Sequence, residues 1–278
     1  MRSQSLRRGY ISVGAGQLHY RYAGKPHSPL LLLIHQAPSS SVMYQAMMAE
    51  LASDYYVLAP DLPGFGQSDA LPGGNSIADW ADSIAAFCRA FSQRVAGVFG
   101  HHTGAAVATE LLYRHPYIDA RLMLSGPTLL SPELQAALPD KARAFPLARD
   151  GGHMQGMWQR MLAKDGGADL ALVLRESLLG LAMGESYPDA YQAVIDHDFR
   201  RAIRAVTEPV LMFAGSADPL YPVLDEAFSE VRRGVKSEIA GAASWVCDRQ
   251  PGAVCALIRR FMTADVAANS KREWRDEP

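Results

Sequence analysis

The chain has 278 residues, of which 49% are hydrophobic, and 27 Lys and Arg face 29 Asp and Glu for a formal net charge of -2. This length and apolar content are sufficient for a large buried core, and the charge gives no indication of binding to nucleic acid or an anionic membrane. With only three cysteines and no apolar run near the ~18 residues of a membrane span, we expect a soluble cytoplasmic protein without a disulfide framework. The polar, basic segment 1–9 is not typical of a secretory signal.

Patterns typical of strands and helices alternate along most of the chain. The first part predicts strands at 10–13, 17–22, 30–34, 56–59, 94–99 and 120–125, and helices at 43–52, 77–91 and 103–114. The segment 126–206 is helical without clear strands, after which the alternation returns with strands at 209–214 and 235–239 and helices at 223–231 and 252–262. Such an order predicts a mostly parallel sheet covered on both faces.

The same pattern predicts the domain organisation. Residues 1–125 and 207–265 form one discontinuous core domain, and 126–206 form a helical cap that we expect to lie over the active edge of the sheet. The remaining segment, 266–278, is a charged tail that we expect to be frayed.

A strand-turn-helix motif follows the apolar segment 94–99. Its sequence is Gly100-His101-His102-Thr103-Gly104. The two glycines allow a sharp turn and close packing of the helix against the strand, which is typical of a nucleophile elbow. The central residue of such an elbow is ordinarily serine, and here it is His102.

Four motifs together resemble the α/β-hydrolase superfamily, over about residues 10–262. They are the segments 31–35 (LLLIH), 59–69 (APDLPGFGQSD), the elbow, and 213–219 (FAGSADP). The resemblance implies an α/β-hydrolase fold with a mostly parallel eight-stranded sheet, flanking helices and a helical cap. It also implies an oxyanion hole formed by the backbone N–H groups of Ala37 and Thr103, with Gln36 where the family has glycine.

The catalytic triad that the resemblance implies departs from the usual pattern. Asp218, after a late strand, matches the acid of the family. The loop that normally carries the catalytic histidine reads Gly-Ala-Ala-Ser-Trp at 241–245, which places Ser244 at the histidine position. Histidine and serine have therefore exchanged places between positions 102 and 244.

The exchange leaves several roles open for His102. It could act as a general acid or base, paired with Ser244 or with water, because imidazole titrates near neutrality. It could attack a carbonyl itself, it could move a proton while a C–C bond breaks, or it could be catalytically silent.

The leading hypothesis is a cofactor-independent hydrolase with an atypical triad that acts on a small organic ester, lactone, amide or C–C bond. The alternatives are a catalytically degenerate protein that binds a small ligand, and a non-hydrolytic lyase on the same fold. Position and residue type suggest four substrate-binding residues: Gln36, Tyr44, Trp158 and Trp245.

The predicted cap supplies two further histidines. His153 and His197 could take part in catalysis, and His197 lies between two aspartates, although a solvated helical face explains that cluster better. No second cluster at ligand spacing accompanies it, so we expect neither a metal nor a cofactor. We expect a small-molecule substrate and no nucleic-acid or membrane partner, and the sequence leaves a homo-oligomer open.

Overall fold

A single sheet organises the chain, for which the computed structural model describes residues 6–70, 75–267 and 270–274. In these residues the sheet has nine strands in the order β1-β2-β4-β3-β5-β6-β7-β8-β9. The strands are β1 (Arg7–Val13), β2 (Gly16–Ala23), β3 (Leu30–Ile34), β4 (Tyr56–Pro60), β5 (Val95–His101), β6 (Arg121–Ser125), β7 (Val210–Gly215), β8 (Gly234–Ile239) and β9 (Lys271–Glu273). The first two strands form an antiparallel hairpin, β2 is antiparallel to β4, and all other pairs are parallel.

The ninth strand corrects two predictions about the sheet and the tail. Lys271–Glu273 pairs in parallel with β8, so this part of the expected frayed tail extends the sheet beyond eight strands. The Trp274 backbone N–H also donates to the carbonyl oxygen of Lys236, at 2.8 Å. Charged side chains on a short edge strand are compatible with pairing because the backbone, not the side chain, makes the hydrogen bonds. The rest of the predicted tail includes 268–269 and 275–278, which lie outside the described residues.

Eleven helices accompany the strands within the described ranges. They are α1 (Gln45–Leu51), α2 (Ile77–Arg89), α3 (Thr103–Arg114), α4 (Pro132–Lys141), α5 (Gly152–Lys164), α6 (Leu170–Ala182), α7 (Tyr187–Asp196), α8 (Phe199–Ala205), α9 (Leu224–Ser229), α10 (Val246–Arg249) and α11 (Pro251–Thr263). The helix predicted at 43–52 is divided into a 3-10 turn, Ser41–Tyr44, and α1. None of the helices among these residues is long and apolar enough to cross a membrane.

Strand β3 shows why the sheet is covered on both faces. Its residues are all apolar and all buried, and successive side chains of a strand point to opposite faces. Leu32 and Ile34 contact an apolar cluster shared with α2, α3 and α8, whereas Leu31 and Leu33 contact another shared with α1 and α11. The wholly apolar run at 30–34 therefore specifies a central strand between two helical layers.

The helical insertion, defined as α4 to α8, lies between β6 and β7 in the chain. A small apolar cluster joins Met161, Val173 and Tyr187 of this insertion to Trp245 of the core. An ion pair adds to this attachment, because Arg175 donates to both carboxylate oxygens of Asp248 at 2.8 and 2.7 Å. The insertion is thus held to the core by packing and by charge.

The turn after β4 is organised by one buried carboxylate. Asp61 accepts hydrogen bonds from the backbone N–H groups of Ser41 at 2.7 Å and Gln67 at 2.9 Å, and pairs with His19 at 2.9 Å. Burial alone would raise the pKa of Asp61, but these hydrogen bonds outweigh it and lower the pKa from 3.8 to about 2. The motif at 59–69 is therefore a folded turn that joins β4 to the loop after β3.

We expect Asp61→Asn to destabilise the protein, because an amide cannot accept all of these bonds and places its own donor among them. The lowered pKa corresponds to about 2 kcal/mol. This contribution is fully present above about pH 4, the unfolded value, and is lost as the pH falls through about 2. The difference in unfolding free energy between wild type and variant, measured by urea titration, should shrink between these pH values. Asp69→Asn is the control, since this exposed carboxylate accepts one backbone N–H, from Gln17. Equal losses in the two variants would contradict the assignment.

Candidate active site

The elbow between β5 and α3 holds His102 in an unusual backbone conformation. Its φ of 49° and ψ of -116° make it the one residue other than glycine with positive φ among those described. Such a conformation costs on the order of 1–3 kcal/mol and persists only where the surroundings impose it. Here close packing does so, because a Cβ on Gly100 would lie 2.1 Å from the carbonyl oxygen of Gly104, and one on Gly104 would lie 2.0 Å from that of Ile34. The predicted glycine requirement is thus explained by backbone contact.

A hydrogen bond connects the elbow to the loop after β7. His102 Nε2 lies 2.7 Å from Asp218 Oδ2, and the exposed fraction is 18% for the histidine side chain and 1% for the aspartate. Burial opposes ionisation of Asp218, but the neighbouring His102 outweighs it and the pKa of the carboxyl is lowered to about 2. The other carboxylate oxygen accepts the backbone N–H of Leu220 at 2.8 Å, which fixes the carboxylate plane.

The ionised carboxylate determines which nitrogen of His102 carries the proton. A carboxylate only accepts hydrogen bonds, so Nε2 is the donor. The second nitrogen, Nδ1, has no hydrogen-bond partner among the described residues and is not fully buried. In the neutral ring, Nδ1 therefore carries no proton, and its lone pair has no hydrogen-bond partner among the described residues.

Ser244 contacts the elbow through His101, not through His102 as the sequence suggested. His101 Nε2 donates to the backbone oxygen of Ser244 at 2.9 Å, and its Nδ1 accepts from the Ser125 hydroxyl at 3.0 Å. Complete burial, followed by the neighbouring His102, lowers the pKa of His101 to about 3. Its ring stacks on that of His102 with centroids 4.1 Å apart. His101 is thus a neutral support for the His102 ring, and no hydrogen bond joins His102 to the Ser244 hydroxyl in the described residues.

Gly126, directly after β6, makes room for the imidazole. A Cβ at this position would lie 2.3 Å from Cδ2 and 2.6 Å from Nε2 of His102. Gly126 also has a φ of +64°, which disfavours other residues. The role of Gly126 is not evident from the sequence, because a lone glycine after a strand is not distinguishable from an ordinary turn.

The two residues expected to form the oxyanion hole, Ala37 and Thr103, line the same cavity as His102. Thr103 is the first residue of α3, where backbone N–H groups have no partner within the helix. Neither its N–H nor that of Ala37 donates to another described residue, and both residues line the cavity above His102. Gln36 is 2% exposed and does not line this cavity, so its side chain lies beside the site.

His35 has both of its ring nitrogens bonded to the backbone. Nδ1 donates to the Gln36 carbonyl oxygen at 2.8 Å, and Nε2 accepts the N–H of Leu62 at the same distance. These bonds tie the loop after β3 to the turn after β4 and hold Ala37 at the edge of the site.

A cavity of about 700 Å³ lies between the elbow and the helical insertion. Its floor includes His102, Thr103, Leu220 and Ser244, and its upper walls come from α4, α5 and α7. Most of the surface is apolar, which suits a small organic molecule.

Three aromatic residues predicted to bind substrate lie elsewhere. Tyr44 is fully buried and donates to the Ile34 carbonyl oxygen at 2.7 Å, so it packs below the site. Trp245 is also fully buried, within the cluster that anchors the insertion, and Trp158 packs at the edge of the same cluster. Neither tryptophan lines the cavity. Residue type and proximity in sequence did not reveal that Tyr44 and Trp245 are buried and that Trp158 packs against the cluster of the insertion.

The two histidines of the insertion are also separate from the cavity. His197 pairs with Glu110 of α3 at 3.0 Å, and His153 accepts the N–H of Ala148 at 3.2 Å. Neither lines the cavity of His102. In the part of the chain that the structure describes, no group of three or more His, Cys, Asp or Glu side chains is arranged to hold a metal ion.

We expect Gly126→Ala to destabilise the protein by about 1–3 kcal/mol more than Gly14→Ala, because the new methyl group overlaps the His102 ring. Gly14 is the matched control: its φ is +57°, so alanine is strained there too, but a Cβ would meet nothing within 4 Å. Urea unfolding of both variants measures the difference. Similar losses would show that the His102 ring is not confined by Gly126.

Comparison with known proteins identifies the fold family. The family model for the alpha/beta hydrolase fold matches residues 29–196, more than half of the chain. An uncharacterized protein of Mycobacterium tuberculosis is 30% identical over 135 residues, which are 47% of this chain and 39% of the relative. The AB hydrolase superfamily protein YfhM of Bacillus subtilis is 30% identical over 122 residues, 42% of this chain and 43% of the relative. The aligned segments thus span less than half the length of these curated relatives.

A solved structure extends the likeness of the fold to nearly the whole chain. The enol-lactonase of Burkholderia xenovorans superimposes with a TM-score of 0.78 at 21% identity, covering 92% of this chain and all of that one. With the sheet order, the elbow and the family match in agreement, the chain belongs to the α/β-hydrolase fold family.

Proposed function

We propose that the protein is a cofactor-independent hydrolase of a small organic ester, lactone, amide or C–C bond, in which His102 and Asp218 form a catalytic dyad that activates water. The observation that carries this proposal is the 2.7 Å bond between His102 Nε2 and the ionised Asp218, with Nδ1 left without a partner at the cavity. A carboxylate that orients an imidazole and stabilises its protonated form is the acid–histidine part of a hydrolytic triad.

The proposed reaction needs no side-chain nucleophile. Nδ1 of His102 takes a proton from water as the water oxygen bonds to the substrate carbonyl carbon. The electron pair of the carbonyl moves to its oxygen, and the N–H groups of Ala37 and Thr103 bind the resulting oxyanion. When the bond to the leaving group breaks, Nδ1 returns the proton to that group, and Asp218 has stabilised the imidazolium in between.

Ser244 has a supporting role in this proposal. Its hydroxyl has no hydrogen bond to His102, so nothing in the described residues activates it for attack. The residue lines the cavity, where the hydroxyl can contact bound substrate. The helical insertion acts as the cap of the site, since α4, α5 and α7 line the same cavity.

We expect His102→Ala and Asp218→Asn to lower kcat/KM by about 10²–10⁴-fold, the usual range for loss of a general base. Ser244→Ala should lower it less than tenfold. The assay is hydrolysis of short p-nitrophenyl esters, lactones and vinylogous diketones. His115→Gln is the matched control, since this histidine also pairs with an aspartate, Asp82, at 2.8 Å and is also 18% exposed, but lies off the cavity.

The pH dependence of the same assay tests which residues of the site change protonation state during the titration. Because the pKa is about 2 for Asp218 and about 3 for His101, neither group changes charge between pH 4 and 8. A loss of rate on acidification in this range would therefore not arise from either of these two groups. Full activity of His102→Ala would refute the proposal.

Pre-steady-state kinetics should distinguish a base from a nucleophile. If water attacks directly, rapid mixing with excess substrate gives no burst of p-nitrophenol from an acyl-enzyme, and acid-quenched protein shows no added acyl mass. A burst equal to the enzyme concentration, with an acyl group on His102 by mass spectrometry, would instead show that His102 attacks the carbonyl.

A further inference from the structure

One face of helix α5 is turned toward the cavity. Gly156, Arg160 and Lys164 recur at intervals of four residues, and Gln159 and Ala163 lie beside them on the same face. All five line the cavity that has His102 in its floor. The helix therefore presents two cationic side chains to the space in which substrate would bind.

Arg160 is held in place but has no anionic partner. Its guanidinium lies over the Phe145 ring at 4.1 Å and over the Tyr187 ring at 5.1 Å, which orients the plane of the group. Among the described residues no carboxylate forms an ion pair with it, and Nη1 is buried without a hydrogen-bond partner. A buried donor of this kind is costly unless something else accepts its hydrogen bond. A planar guanidinium held in this manner is suited to binding a carboxylate.

The balance of charge around the cavity favours an anion. Lys141, Arg160 and Lys164 line it, and none of the three has an ion pair with a described carboxylate. Asp140, the one carboxylate among the described lining residues, pairs with Arg143 at 2.9 Å. The cavity thus has an excess of positive charge.

The phenol beside these cations does not neutralise them. Lys164 Nζ lies 3.4 Å from the Tyr191 hydroxyl, which also bonds to the Tyr187 hydroxyl at 3.1 Å. Burial raises the pKa of Tyr191, so the phenol stays neutral. It can donate to a bound anion or orient the ammonium group of Lys164.

The remaining walls are apolar. Leu134 and Leu138 of α4 and Val194 of α7 face the same space, with Leu220 near the elbow. A ligand that fits both parts has an apolar body and one anionic end.

We propose that the substrate is an organic carboxylate: Arg160, assisted by Lys164, binds its carboxylate at the cap, while the apolar part crosses the cavity and the scissile carbonyl lies at His102. This inference rests on the proposed function only in treating the ligand as a substrate, because the protein can bind a carboxylate without turning it over. It assigns Arg160 and Lys164 as specificity-determining residues.

The test is calorimetric titration of the full chain with 4-phenylbutyrate and 6-phenylhexanoate, and with the primary amide of each. Each amide has the same shape as its acid but no charge. We expect the wild type to bind at least one carboxylate about 10- to 100-fold more tightly than its amide, the range for a hydrogen bond to a charged group. Arg160→Met should abolish most of this preference, and Lys164→Met should reduce it by a smaller factor.

Arg260→Met is the matched control. The Arg260 guanidinium lies over the Trp274 ring at 4.1 Å, the same distance as Arg160 over Phe145, but it does not line the cavity. This variant should keep the wild-type preference. Arg160→Gln serves as a second neutral variant if the methionine variant does not fold.

Equal binding of acids and amides by the wild type would overturn the proposal, and so would an undiminished preference in both Arg160 variants. These outcomes differ from failure of the proposed hydrolysis. A protein that prefers carboxylates through Arg160 but has no esterase or lactonase activity would support the anion site and contradict the catalytic role of His102.

Discussion

The hydrogen bond between His102 and Asp218 is the interaction on which the arrangement of the site depends. It spans 116 positions of sequence and joins the ends of two strands, β5 and β7, that are separated in the sheet by β6. By fixing the proton on Nε2 it turns Nδ1 into the free nitrogen of the ring. The strained elbow, the neutral His101 behind it and the space beside Gly126 all serve to hold the imidazole where this bond can form. In the usual triad of the family, the elbow residue is serine and a separate histidine connects it to the acid.

Much of the fold could be predicted because the relevant signals are local. The wholly apolar run at 30–34 predicted the bounds of β3, and the helix formers with apolar residues at helical spacing over 103–114 predicted those of α3. The helical segment after β6 was evident from the loss of strand patterns. The strand at 271–273 was not predictable, since its side chains are charged and exposed and only backbone pairing with β8 defines it.

The site was less predictable than the fold, because it depends on where side chains point, and the spacing of residues in the sequence does not give side-chain orientation. Sequence located His102 and Asp218 but suggested that Ser244 would meet the imidazole, whereas it is the backbone oxygen of Ser244 that matters to the packing, through His101. Tyr44 and Trp245 were predicted to contact substrate because they are aromatic, yet both are core residues. The position of Arg160 could have been predicted, because its spacing of four residues from Gly156 and Lys164 places all three on one face of a helix in the insertion.

Gly126, His102 and Asp218 are coupled, because the imidazole of His102 lies against Gly126 and bonds to Asp218. Replacing His102 by serine would remove the partner of a buried carboxylate and leave an unfilled space where the ring lies against Gly126. Introducing histidine at 244 would add a second imidazole next to the loop that His101 already holds by its backbone. Substitutions at 102, 126 and 218 should therefore be non-additive in their effect on stability, because all three residues meet at one imidazole ring.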